Sequence, residues 1–450
     1  MSIKISDDEI SQELRELLYR LYRHRDIRDS LRYRLYLQNV FRKLEMDKEL
    51  GSRDLNRIFM LSKRIGLSPP RELMQLVQKV LKKEIAGKYE NFEKEIIEIL
   101  KSKEKINLVF LLGAGASNPP PSNIPTVNQM LNHIVKNLPP TEIPFASKVR
   151  EWAKNGVNIE DVLTASYLST LLVSNPSINR LIGEIIYRRE EIEEPYELRE
   201  REYVYSFQDL INRVFSMVSG IMAKAPPNDI HKKIAKLIKD NSKDGPYNVF
   251  VVTTNYDICL EKALQDVDLE GKYLGINIGS GSPIVKIHGS INWYYCEGCQ
   301  EVITYSIDEI KNLKKIFPIS GACQKCGTQA SLFMVPPIAY KYVMYPPLID
   351  IWQSAMKTFE QADIIVVIGY SFSLADDYIL KMIVNALKRN NSLLVVINKD
   401  SDAIQHLEKR LSAYHLKVSH TFCEDAVECV PKIIPLFLKK ISRKVKRKKT

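Results

Sequence analysis

LVFLLGAGAS, residues Leu108–Ser117, is the stretch from which the fold is read. Five apolar residues run directly into Gly113-Ala114-Gly115-Ala116-Ser117. A short apolar run that ends in close-set glycines reads as a buried strand entering a tight turn. Glycine there lets the backbone approach a phosphate and take angles that a Cβ forbids. A helix starting at the turn would add free N–H groups and the positive end of its dipole, a seat for pyrophosphate. The third glycine of the full dinucleotide fingerprint is missing, so the stretch alone also fits a strand with an ordinary turn.

Four later stretches repeat the pattern. They are Val249–Asp257 (VFVVTTNYD), Ile284–Trp293 (IVKIHGSINW), Ala362–Phe372 (ADIIVVIGYSF) and Ser392–Asn398 (SLLVVIN). Helices are expected between them, including Ser373–Lys388 and Asp402–Leu411. Strands that alternate with helices and end in small or polar residues describe an α/β fold with a doubly wound parallel sheet. Such sheets bind ligands at the carboxyl ends of their strands, so the polar residues of all five would gather at one site.

The chain of 450 residues has room for two or three domains, and its hydrophobic fraction of 45% is ample for a core. No apolar run reaches the roughly 18 residues that cross a membrane, and MSIKISDDEISQ has no apolar signal region. These features predict a cytoplasmic protein without a membrane partner. Residues 1–104 read as a helical adaptor or oligomerisation domain, with Leu14, Leu17, Leu18 and Leu21 at helical spacing. Arginines between Arg20 and Arg34 interleave with tyrosines there, which reads as a solvated charged face or as a surface for a partner. A mainly helical insert is expected over 139–247. The net charge is +11, and the tail 439–450 holds eight Lys or Arg with no acid. That tail reads as a frayed basic end, and charge alone does not assign a nucleic-acid partner.

Of seven cysteines, four form Cys296-x-x-Cys299 and Cys323-x-x-Cys326, with 23 residues between the pairs. Two such pairs predict a structural zinc site within a small module over 294–335. Four thiolates leave no open position for catalysis.

In their order, Gly113-Ala114-Gly115-Ala116-Ser117, Ile124-Pro125-Thr126, Thr254-Asn255-Tyr256-Asp257, His288-Gly289-Ser290, the four cysteines, Gly369-Tyr370-Ser371 and Val396-Ile397-Asn398 resemble the sirtuin superfamily. The resemblance covers about 105–430 and implies a Rossmann-like NAD-binding domain (105–438) with a zinc ribbon. The full chain most resembles the sirtuin-like effectors of microbial anti-phage defence, whose sirtuin domain destroys NAD. The resemblance implies Asn255 to position ribose and water, His288 as the base, and Asp257 to orient the site or meet nicotinamide. It implies that Gly113, Ala114, Gly115, Ala116 and Ser117 cradle pyrophosphate, joined by Thr126, Thr254, Gly369 and Ser371, with Asn398 near adenosine. His231 and His133 are read as structural.

Two sirtuin reactions compete, NAD hydrolysis and NAD-dependent deacylation or ADP-ribosyl transfer. Sirtuin deacylases carry Asp-Phe-Arg after Ile-Pro, where this chain has Thr126-Val127-Asn128. They also carry a Phe-Gly-Glu strand that is missing before Val335-Pro336-Pro337, and commonly Ile-Asp where this chain has Tyr256-Asp257. The first two departures and the long insert favour the hydrolase. A non-catalytic NAD or ADP-ribose sensor is the third reading. A hydrolase of free NAD needs control, so a homo-oligomer and a protein activator acting through residues 1–104 are expected.

Overall fold

The computed structural model describes residues 8–24, 71–126, 218–276, 282–312, 320–323, 325–335, 347–422 and 426–438, with shorter pieces elsewhere. Most of the expected insert, the tail 439–450, His133 and the arginines from Arg25 to Arg32 lie outside the described residues. Contacts divide the chain into two units, Met1–Glu98 and Ile99–Thr450. In the first, helix α1 (Asp8–Arg23) buries Leu14, Leu17, Leu18 and Leu21, the stripe its spacing predicts. Helix α2 (Arg71–Ser102) leads into the second unit.

The second unit is built on β1 (Ile106–Leu112), whose residues are buried except half-buried Asn107. A single helical turn, α3 (Ala114–Ser117), follows it. Helix α4 (Asp229–Asn241) then leads to β2 (Tyr247–Thr253), and α5 (Cys259–Gln265) to β3 (Gly271–Tyr273) and β4 (Ser282–Lys286). Strands β5 (Gly289–Cys296), β6 (Glu301–Thr304), β7 (Ser320–Ala322) and β8 (Gln329–Met334) form a separate antiparallel sheet, ordered β6-β5-β8-β7. Helix α6 (Leu348–Glu360), β9 (Ile364–Ile368), α7 (Asp377–Asn390), β10 (Leu393–Ile397), α8 (Ser401–Ser412), β11 (His420–Phe422) and α9 (Ala426–Leu438) complete the unit.

The main sheet is parallel throughout, in the order β11-β10-β9-β1-β2-β4-β3. The chain leaves β1 in one direction and later returns to its other side at β9. Right-handed crossovers in opposite directions put helices on opposite faces. Accordingly α4 packs with α5 and α9, and α6 packs with α7. Burial on both faces explains why β9, β10 and β1 from Leu108 onward are unbroken apolar runs.

The reversal lies between β1 and β9, where ligands enter such sheets. There the two strand ends touch backbone to backbone. The Gly113 N–H donates to the Ile368 carbonyl at 3.0 Å, and the Gly115 N–H to the Gly369 carbonyl at 2.9 Å. A Cβ on Gly113 would stand 2.6 Å from the Gly369 oxygen, and Gly369 has φ +62°. Only glycine fits both constraints.

One expected strand is two. Ile284–Trp293 breaks at Ile287-His288, and Gly289, at φ +82°, carries the chain from β4 into the antiparallel sheet. A Cβ there would collide with the Phe333 carbonyl. The expected Ser373–Lys388 helix starts as a 3₁₀ turn at Leu374–Asp376 before α7.

Gly369→Ala is expected to destabilise the second unit by about 2–4 kcal/mol, through a left-handed residue and a close backbone contact. Denaturant unfolding of the variant against wild type checks this.

Candidate active site

The carboxyl ends of β1, β2, β9 and β10 open into a cleft of about 350 Å³. Ala114, Gly115, Ser117 and Thr126 line one side, and Gly369, Ser371 and Asn398 another. Thr254, Asn255, Asp257 and His288 close its inner end. Among the residues expected from sequence, Gly113 and Ala116 stay outside the lining. Gly113 contributes its carbonyl to Asn255, and buried Ala116 accepts from Asn228 Nδ2 at 2.8 Å. Helix α3 is one turn long, so the expected dipole of a following helix is reduced to a few turn N–H groups.

Asn255 follows β2 on a loop whose N–H bonds Thr253 Oγ1 at 3.0 Å. Its Nδ2 donates to the Gly113 carbonyl at 3.0 Å and to Ser117 Oγ at 3.1 Å. A carbonyl can only accept, so the amide orientation is fixed and Oδ1 is left as its acceptor.

Ser117 Oγ also lies 3.2 Å from His231 Nε2. His231 Nδ1 accepts the Asn228 N–H in a capping box at the start of α4. A neutral ring with its proton on Nε2 satisfies both contacts. Burial pushes the His231 pKa down to about 4, so this neutral form holds at neutral pH.

Asp257 is buried, and its Oδ1 accepts from the Cys259 N–H at 3.0 Å. Burial opposes its charge. The fields of His231 and Lys286, the Cys259 N–H and the Ser117 hydroxyl outweigh burial and hold its pKa below the usual value. Lys286, 1% exposed, sits beneath the loop, pairs with Glu261 at 3.0 Å and donates to the Asp257 carbonyl. Glu261 in turn accepts from the Tyr273 hydroxyl at 3.1 Å. The inner wall is thus a network of buried charged groups.

His288 occupies the corner between β4 and β5. Its carbonyl accepts from the Val335 N–H at 2.8 Å, and the Tyr256 hydroxyl donates to the Val335 carbonyl. The end of β8 therefore ties the antiparallel sheet to the corner. His288 Nε2 lies 2.7 Å from the Tyr378 hydroxyl and 3.3 Å from Asp376 Oδ1. Sequence reasoning missed Asp376, Tyr378 and Lys286, and read His231 as structural. Lys286 sits within an apolar run that looks like core, His231 lies in the first turn of an amphipathic helix, and no spacing links Asp376 to a histidine 88 residues earlier.

The four thiol sulfurs of Cys296, Cys299, Cys323 and Cys326 lie within 4.8 Å of one another. Cys296 to Cys326 is 3.4 Å and Cys299 to Cys323 is 3.9 Å. Tetrahedral zinc with bonds of about 2.3 Å separates its sulfurs by about 3.8 Å, so the cluster fits that ion.

Residues 249–419 match the family model of the SIR2-like domain, a module of the sirtuin superfamily. NAD-dependent protein deacylase 1 of Archaeoglobus fulgidus is 29% identical over 117 residues, 26% of this chain and 42% of that protein. The chain thus spans less than half the length of this curated relative. A Sir2 complex with a p53 peptide and NAD+ is 17% identical, covers 76% of this chain and 97% of its own, and has a TM-score of 0.36. A SIR2 complex with an inhibitor, 2′-O-acetyl-ADP-ribose and a deacetylated p53 peptide is 16% identical, with the same coverage and a TM-score of 0.37. Among the described residues no helix is long and apolar enough to cross a membrane.

Because folding depresses the His231 pKa, the unfolded chain binds the extra proton between about pH 4 and 6.5. Its contribution, about 2–4 kcal/mol, is full above pH 6.5 and is lost as pH falls towards 4. Melting curves should show this loss in wild type and a flatter response in His231→Gln.

Proposed function

We propose that the chain hydrolyses NAD at the nicotinamide–ribose bond, giving nicotinamide and ADP-ribose. The observation that carries this reading is the fixed Asn255 amide beside His288 at the inner end of the cleft. Cleavage breaks the C1′–N bond, and its electron pair returns to the cationic ring nitrogen. Nicotinamide leaves neutral, so no general acid is needed. The reaction needs an oriented sugar, a placed water and a base.

Asn255 Oδ1 accepts from the attacking water or a ribose hydroxyl and orients it. His288 takes the proton as the new C–O bond forms, because an imidazole suits a base near neutrality. Buried and ionised, Asp257 orients this end through the loop it shares with Asn255 and would stabilise a cationic ribose centre. Ala114, Gly115 and Ser117, with Gly369 and Ser371, offer the close backbone and hydroxyls that a pyrophosphate requires, while Thr126 and Thr254 border it and Asn398 lies towards adenosine. Zinc held by Cys296, Cys299, Cys323 and Cys326 would fix the antiparallel sheet.

NAD-dependent deacylation is the second reading, favoured by the activity named for the archaeal relative. There an acyl-lysine oxygen replaces water. We also assign a regulated defence-effector role, in which residues 1–104 set a homo-oligomer or meet a protein activator. Support for it is the resemblance and the risk of uncontrolled NAD loss. Deleting 1–104 should change assembly or regulated activity; unchanged behaviour in both would remove this assignment.

Asn255→Ala is expected to lower nicotinamide release from NAD, without peptide, by about 100-fold or more while NAD still binds. Release only with acetylated peptide would favour the deacylase, and binding without release under any condition would favour a sensor. Elemental analysis should find about one zinc per chain, and Cys323→Ser should lose it. Because β8 anchors the His288 corner, that loss should also lower activity.

A further inference from the structure

His288 is braced by side chains that no sequence motif assigns. Its Nε2 faces Asp376 Oδ1 at 3.3 Å, and both residues are less than a tenth exposed. The Tyr378 hydroxyl stands 2.7 Å from the same nitrogen. Trp352 stacks on the Tyr378 ring, centroids 4.7 Å apart, and its indole N–H donates to the carbonyl of Ile287 at 3.2 Å. One indole thus supports both the loop that carries His288 and the tyrosine that touches it. The neighbouring carboxylate, Asp377, is engaged elsewhere, by Arg410 and Lys381.

We propose that Asp376 is a positioning residue for His288, with Tyr378 as its second support. This rests on the reading of His288 as the base. A carboxylate this close in poorly hydrated surroundings favours the imidazolium and orients the ring. The proton that water or a ribose hydroxyl gives up moves to His288, Asp376 remains ionised, and the proton returns to solvent after product leaves. Among the described residues, Asp376 and Tyr378, from the turn and helix after β9, and Tyr256, from the loop after β2, face the ring. Tyr370 lies against Asp376.

The test is Asp376→Asn in the full chain, with folding checked by melting. The His288 imidazole is titrated by NMR on histidine-labelled protein, its signal assigned with His288→Gln. Its midpoint should fall by about one pH unit, since an attractive charge has been removed. The acid limb of kcat for nicotinamide release should move down with it. The rate should fall about tenfold or more while KM for NAD changes less than about threefold. Asp376→Glu should recover part of both effects. An unmoved His288 midpoint, or a loss confined to KM, would overturn the proposal. Should Asp376→Asn not fold, Tyr378→Phe keeps the ring against Trp352 and carries the same test: a fall in kcat at constant KM supports the bracket, and no change overturns it. A wild type that releases no nicotinamide would fail the hydrolase reading, and the NMR titration would still decide the pair.

Discussion

The contact between the ends of β1 and β9 is what the second unit depends on. Gly113 and Gly115 meet Gly369 and Tyr370 with no side chain between them. That approach brings the turn after β1 against the turn after β9 at the point where the sheet reverses. It also sets the Gly113 carbonyl and the Ser117 hydroxyl where the Asn255 amide can use both. A side chain at either glycine would push apart two strands and the residues they aim into one cleft.

Behind that contact the site is backed by charge rather than by apolar packing. His231, Asp257, Lys286 and Glu261 are all buried and hold one another through Ser117, Tyr273 and backbone groups. Buried ion pairs add little net stability, but removing one partner leaves the other exposed to a large penalty. Such a wall resists movement, which suits residues that must hold a sugar and a water in one geometry.

The strands were legible because parallel strands buried on both faces are continuous apolar runs, as in LLVVI before Asn398. The glycines, Asn255, His288 and the cysteine pairs were legible because each is a polar or small residue at a strand end or a fixed spacing. Other features were not. The break at Gly289 was hidden because apolar residues flank it on both sides, Ile284, Val285 and Ile287 before it and Ile291 and Trp293 after it, although they belong to two sheets. Helix α9 carries Pro431 and Pro435, residues that usually end helices. Strands β3 and β11 are three residues each, too short to show a period. Asp376 reaches His288 only through tertiary packing, and Lys286 is a charge inside a core-like run whose partners lie on α5 and its preceding loop.

A crystal structure of the Asn255→Ala chain soaked with NAD tests the central claim most directly, since the variant should bind without turnover. The expected result is pyrophosphate against the Gly115 and Gly369 turns, adenosine towards Asn398, and the nicotinamide ribose in contact with residue 255 and His288. NAD bound away from this cleft, or seated with its nicotinamide ribose out of reach of His288, would contradict it.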